Sequence, residues 1–138
     1  MPKPATTTKY YLGVDYGEAK CGLAIADSET RIAFAYGTIK NDKKLLQNIL
    51  AIINEENIAQ VIIGAPKRMR DNKIIYAGEK LGEQLEKKNI KISYQDEIYS
   101  TKIARENLKE KGLRDINRFD DAEAARIILD SFLQKKAR

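Results

Sequence analysis

Three β-type runs stand back to back near the start of the chain, and behind them helix-like and strand-like segments alternate. Lys9–Val14 is β-branched and aromatic, Lys20–Ala26 and Ile32–Ile39 follow as further strands, and the turn formers Asp15-Tyr16-Gly17 and Asp27-Ser28-Glu29 separate the three. Connections this short imply antiparallel hairpins, because a parallel pair needs a long crossover. Asn41 or Asp42 then offers an N-cap, and Leu45, Ile49, Ile52 and Ile53 recur at helical spacing to about Asn57. Val61-Ile62-Ile63-Gly64 is a short continuous apolar run of the kind found in a strand covered on both faces. Ile74, Gly78, Leu81 and Leu85 mark a second helix, and Ile90–Tyr94 a fifth strand. Ser100 or Thr101 is placed to cap a third helix through about Lys111, ended by Gly112. Residues 113–119 read as a polar, basic loop, and the last helix runs from about Asp120 to Lys135.

The predicted order, βββ-α-β-α-β-α-α, is a mixed five-stranded α/β sheet: three antiparallel strands, then two parallel strands reached by right-handed crossovers, with helices on both faces. Ligands of such sheets collect outside the carboxyl ends of the parallel strands. The 138 residues suit one domain, expected over 9–138, with 1–8 as a flexible N-terminus. A domain of this size buries about 68–70% of its unfolded surface and needs no disulfide or structural metal. The lone cysteine, Cys21, is expected to pack as a small hydrophobe and fits a reducing compartment. No signal peptide is recognisable and no apolar run approaches ~20 residues, so a cytoplasmic protein with no membrane partner is expected.

Composition sharpens the chemistry by exclusion. The chain has no histidine, which removes Ser-His-Asp and Cys-His catalysis, His-ligated zinc and imidazole acid–base chemistry. It also lacks a Gly-x-x-x-x-Gly-Lys-Ser/Thr phosphate loop. Its net charge of +5 favours a polyanionic partner such as nucleic acid. Catalysis would rest on carboxylates, lysines or hydroxyls.

Three carboxylates are suitably placed. Asp15 closes the first strand and Glu97 follows the fifth, so both leave the sheet at the same edge, about 9–10 Å apart with one strand between them. Asp121 shares a helical face with Ala125, Ile128 and Phe132, where an uncompensated carboxylate is unfavourable and a bound cation would relieve it. Singly, each has a plainer reading: a turn former, a helix start, a helix cap. Jointly they point to a hard, oxygen-seeking ion, Mg²⁺ or Mn²⁺.

Four segments in order carry a resemblance. Leu12-Gly13-Val14-Asp15-Tyr16-Gly17 with Gly22–Asp27, Ile62-Ile63-Gly64-Ala65-Pro66, Asp96-Glu97-x-x-Ser100-Thr101, and Asp121-x-x-x-Ala125 with Ile127–Leu129 are similar to motifs of the YqgF/RuvX family. The match runs from about Tyr10 to Leu133. It implies a ribonuclease H-like fold and an acidic triad of Asp15, Glu97 and Asp121, acting as metal ligands and catalytic residues. The implied activity is endonucleolytic processing of the 16S rRNA precursor, on free RNA or a ribosomal particle, or else resolution of branched DNA at Holliday junctions. In such chemistry carboxylates hold two divalent ions about 4 Å apart, with Asp15 expected to bridge them. Lys67, Arg68 and Arg70, at the same edge, and Arg114 and Arg118, before Asp121, are the expected phosphate contacts. Tyr16 is expected to pack on the sheet. The chain departs from the family pattern at Gly17-Glu18-Ala19 (Gly-Thr-Lys), Ile98 (Arg) and Arg68-Met69-Arg70-Asp71 (Asn-Met-Asp-Gly). Two rivals remain: a nucleic-acid-binding module without catalysis, and the phosphate loop of actin-like kinases, which needs a second such domain. A monomer and a homodimer are both compatible with the sequence.

Overall fold

The structure, a computed structural model, describes residues 8–65, 67–70, 73–76, 78–96 and 121–136. Strands β1 (Tyr10–Asp15), β2 (Lys20–Asp27) and β3 (Ala33–Lys40) form an antiparallel meander. Helix α1 (Leu45–Glu55) leads to β4 (Ile58–Ala65), which pairs parallel with β1. A hairpin, β5 (Lys67–Arg70) and β6 (Lys73–Tyr76), precedes α2 (Glu79–Glu86). Then β7 (Lys91–Asp96) pairs parallel with β4, and α3 (Asp121–Lys136) is the last described helix. The large sheet has the order β3-β2-β1-β4-β7, the mixed five-stranded arrangement expected from the sequence.

Strand alternation sorts the core into two layers. On one side Leu12, Val14, Cys21, Leu23, Val61 and Ile63 meet Leu45 and Ile49 of α1 and Leu81 and Leu85 of α2. On the other, Ala24, Ala26, Ala33 and Ile62 meet Ala125, Ile128, Leu129 and Leu133 of α3. The run Val61-Ile62-Ile63 is fully buried because both layers cover β4.

The α3 side is built from small residues so that the helix can come close. A Cβ on Gly13 would stand 2.8 Å from the Cβ of Leu129, one on Gly64 would strike the Ile128 side chain, and one on Gly22 would strike the Asp121 carbonyl. Gly78, at φ 86°, is a second close approach: it begins α2 against the ring of Tyr16, which packs on the core as expected.

Several local expectations are corrected. Ile74 lies in strand β6 rather than on a helix, and α2 starts at Glu79. The spacing of Ile74, Gly78, Leu81 and Leu85 suits a helix, but Lys73-Ile74-Ile75-Tyr76 is itself β-forming and finds a partner in residues 67–70. The basic 67–70 segment is therefore strand β5. Helix α1 begins at Leu45, capped by neither Asn41 nor Asp42 through a side chain. Asp42 instead accepts the Lys44 N–H at 2.9 Å, and the Asn41 amide donates to the Gly17 carbonyl at 2.7 Å. Of the expected flexible N-terminus, Thr8 accepts a hydrogen bond from Asn57, and residues 1–7 lie outside the described residues. The helix expected from Ser100 or Thr101 to Lys111 and the loop at 113–119 also lie outside them.

Gly22→Ala should cost about 2–3 kcal/mol or more, because the added methyl meets helix backbone that can move only by lifting α3. Gly37→Ala, where a Cβ meets nothing within 4 Å, should stay within about 0.5 kcal/mol of the parent. Urea unfolding of the pair measures the contrast.

Candidate active site

Asp15 is the last residue of β1, flanked in register by Gly22 of β2 and Gly64 of β4. Alternation with Gly13 places it on the α3 face, where it is only 7% exposed. Asp121 opens α3, and its backbone lies directly on Gly22. The two aspartates thus stand on either side of one glycine, at the carboxyl edge of the central strands. Having no side chain, Gly22 lets the first turn of the helix descend there.

A third group reports on both. The Cys21 thiol is held above its ordinary pKa, first by burial and then by the negative charges of Asp15 and Asp121, against a lowering contribution from the Gly17 backbone. Its side chain belongs to the α1/α2 layer, so it is a neighbour of the acidic edge rather than a member of it.

The carboxylate of Asp121 is not buried without compensation, as its helical stripe suggested. One third of its side chain is exposed, and Oδ2 lies 3.3 Å from Nζ of Lys20. The reason is placement: α3 starts at Asp121, at the rim, while Ala125 and Ile128 further along the same face are fully buried. No local sequence pattern marks Lys20 as a partner of Asp121. Lys20 stands two residues before Gly22, which puts both on one face of β2.

Glu97 lies outside the described residues; the described part of β7 ends at Asp96, paired with Ala65 beside the same edge. Arg114 and Arg118 also lie outside them. Lys67, Arg68 and Arg70 are placed as backbone in β5, which begins two residues after β4 ends. Among the described residues no three His, Cys, Asp or Glu side chains come together as a metal cage. The two aspartates offer only oxygen donors, there is no histidine in the chain, and burial keeps the thiol protonated. That donor set fits a hard divalent cation.

The sheet order and the carboxylates at its edge define a protein of the ribonuclease H-like fold. Two solved structures share it: Thermus thermophilus RuvC in complex with a Holliday junction substrate (TM-score 0.54, 14% identity, 94% of this chain and 96% of that one), and Fowlpox virus resolvase with Holliday junction DNA (TM-score 0.55, 14% identity, 94% and 99%). The family model described as "RuvX: Holliday junction resolvase" matches residues 9–135. A Malacoplasma penetrans protein named "Putative pre-16S rRNA nuclease" is 35% identical over 133 residues, covering 91% of this chain and 94% of its own. A Rickettsia felis protein of the same name is 34% identical over 132 residues, covering 88% and 84%. The chain belongs to the RuvX family.

The raised Cys21 thiol makes stability depend on alkaline pH. Its protonated form is favoured in the folded state, so its contribution is complete below the ordinary value of 9.0 and declines as pH rises towards the folded value. Cys21→Ala should start less stable but lose less stability between about pH 7 and about pH 10. Tyr36 and Tyr94, also raised chiefly by burial, remain in both proteins. The difference between the two curves of urea midpoint against pH therefore isolates the thiol.

Proposed function

We propose that this protein is a metal-dependent endonuclease that processes the end of the 16S rRNA precursor during ribosome biogenesis. The observation that carries the reading is the placement of Asp15 and Asp121 on either side of Gly22 at the carboxyl edge of the sheet. Family membership and the names of the curated relatives support the nuclease activity and the RNA substrate.

Asp15, Asp121 and Glu97 would hold a divalent ion, Mg²⁺ or Mn²⁺, which when bound supplies an activated water and charge stabilisation for phosphodiester hydrolysis. The chain's own part is to hold the carboxylates in place. Asp15 is fixed by the backbone pairing of β1 with both neighbours, and Asp121 by the seating of α3. Lys20 balances part of the negative charge at the rim. Lys67, Arg68 and Arg70, in the hairpin that follows β4, together with Arg114 and Arg118, would meet the phosphate backbone. We assign the protein to the cytoplasm as one domain over 9–138; among the described residues no helix is long and apolar enough to cross a membrane.

The family description and the two resolvase folds favour a second reading, cleavage of branched DNA. Side-by-side assays on a 16S precursor and a four-way junction, with Mg²⁺ or Mn²⁺, decide between them. Cleavage of the junction alone would overturn the RNA reading, and metal-dependent cleavage of neither would leave a binding module.

Asp15→Asn should lower cleavage by orders of magnitude while leaving the urea midpoint near the parent's, since Asn keeps the size and a carbonyl oxygen but not the charge. A variant that cuts at the parental rate would make Asp15 a turn former. Replacing Lys67, Arg68 and Arg70 together with Ala should weaken binding to all sequences alike. The slope of log affinity against log salt should fall by about 2 on single-stranded RNA.

A further inference from the structure

Two strands across from Asp15, a cleft of about 480 Å³ opens between β7 and the C-terminal half of α3. Gln60, Lys91, Ser93, Gln95, Phe132 and Lys135 line it. We propose that this cleft holds one unpaired nucleotide of a single-stranded substrate, next to the site of cleavage. The proposal rests on the nuclease reading and adds a binding subsite to it.

Position is the first argument. Gln95 pairs in register with Gly64, and Gly64 with Asp15. The cleft therefore begins in the cross-strand row that contains Asp15, two strands away or about 9–10 Å. Lys91 lies four residues back along β7, about 13 Å further from that edge. A strand cut at the edge can reach the cleft by crossing β4 and then following β7 back from its carboxyl end.

The floor is the second argument, because it is polar where the fold calls for apolar residues. Ile62, beside Gln60 on the same face of β4, is an ordinary core residue under α3. Gln60 is 3% exposed and its amide donates to the Ser93 hydroxyl oxygen at 2.8 Å. Gln95 is 8% exposed, and among the described residues its side-chain amide has no hydrogen-bond partner. Buried amides are normally satisfied, so a group with both a donor and an acceptor, left open on a cleft wall, calls for a ligand presenting the complement. The Watson–Crick edge of an unpaired base presents that complement, whereas in a duplex the edge is already used.

The rim supplies the rest. Phe132 is partly buried against the core and offers a ring to stack on. Lys91 and Lys135 are exposed and suited to phosphates, and no carboxylate stands among the lining residues. The volume suits one small ligand rather than a helix of nucleic acid.

The test uses the full chain in EDTA, so that binding is read without cleavage, with a short fluorescein-labelled single-stranded RNA followed by anisotropy. Lys91→Ala with Lys135→Ala should lower the salt slope by about 1.4, two phosphate contacts at about 0.7 each. Gln95→Leu should weaken binding about tenfold with the slope unchanged, the scale of one recognised base. The same substitution should leave the urea midpoint level or higher, since it removes an unsatisfied buried amide; a residue that only walled the core would not cost affinity while keeping stability. Duplex RNA should bind all variants alike. Parental affinity and slope in both variants would overturn the proposal, as would a free nucleoside monophosphate that competes as well as the strand. A parent protein that binds RNA through the cleft yet cuts nothing when Mg²⁺ or Mn²⁺ is added counts against the nuclease reading instead.

Discussion

The close seating of α3 on a sheet stripped of side chains governs this molecule. Gly13, Gly22 and Gly64 lie on three adjacent strands, and each has helix atoms where its Cβ would be. Ala24 and Ala26 extend the same footprint, and Ala122, Ala124 and Ala125 line the buried side of the helix. Side chains of ordinary size on either surface would hold helix and sheet further apart. Their absence sets the helix lower and brings its first residue to the end of β1. The acidic pair is thus a result of packing. Asp15 and Asp121 are far apart in sequence, and van der Waals contact between glycine and helix backbone fixes how near they come.

Electrostatics at the rim complement that packing. Two aspartates at one strand end repel, and the structure answers with Lys20 on Asp121 and with a protonated thiol behind them. The Lys20 contact is largely exposed, so it is weak and salt-sensitive. A lysine on a flexible stem can swing away from such a pairing at little cost. Under the proposed function, Lys20 would be the counter-charge that a divalent ion displaces.

Much of this was legible before any coordinates. The sheet class followed from short turns between β1, β2 and β3 and from the unbroken apolar run of β4. Asp15 was legible because a carboxylate at a parallel strand end faces the ligand edge in such folds. The hairpin of β5 and β6 was not, since Ile74 satisfies a helical spacing and a strand alternation equally well and only a pairing partner separates the two. Nor was the Lys20 contact, which depends on where α3 starts rather than on any local pattern. Gln60 and Gln95 escaped for a related reason: strand alternation assigns them to the α3 face, but burial was visible only once the helix lay over them. Patterns within one element read well; relations between elements distant in sequence did not.

The order of the strands has a consequence for how the protein comes into being. The meander of β1, β2 and β3 is stitched by near neighbours and can form as soon as about 30 residues are free, whereas β4, β7 and α3 join only after longer loops close. Asp15 is therefore in place early, on a half-built sheet whose glycine surface is bare. Asp121 arrives with the last described helix. Until it docks, a nascent chain emerging from the ribosome has no assembled acidic edge, and any activity of that edge is deferred to the final step of folding.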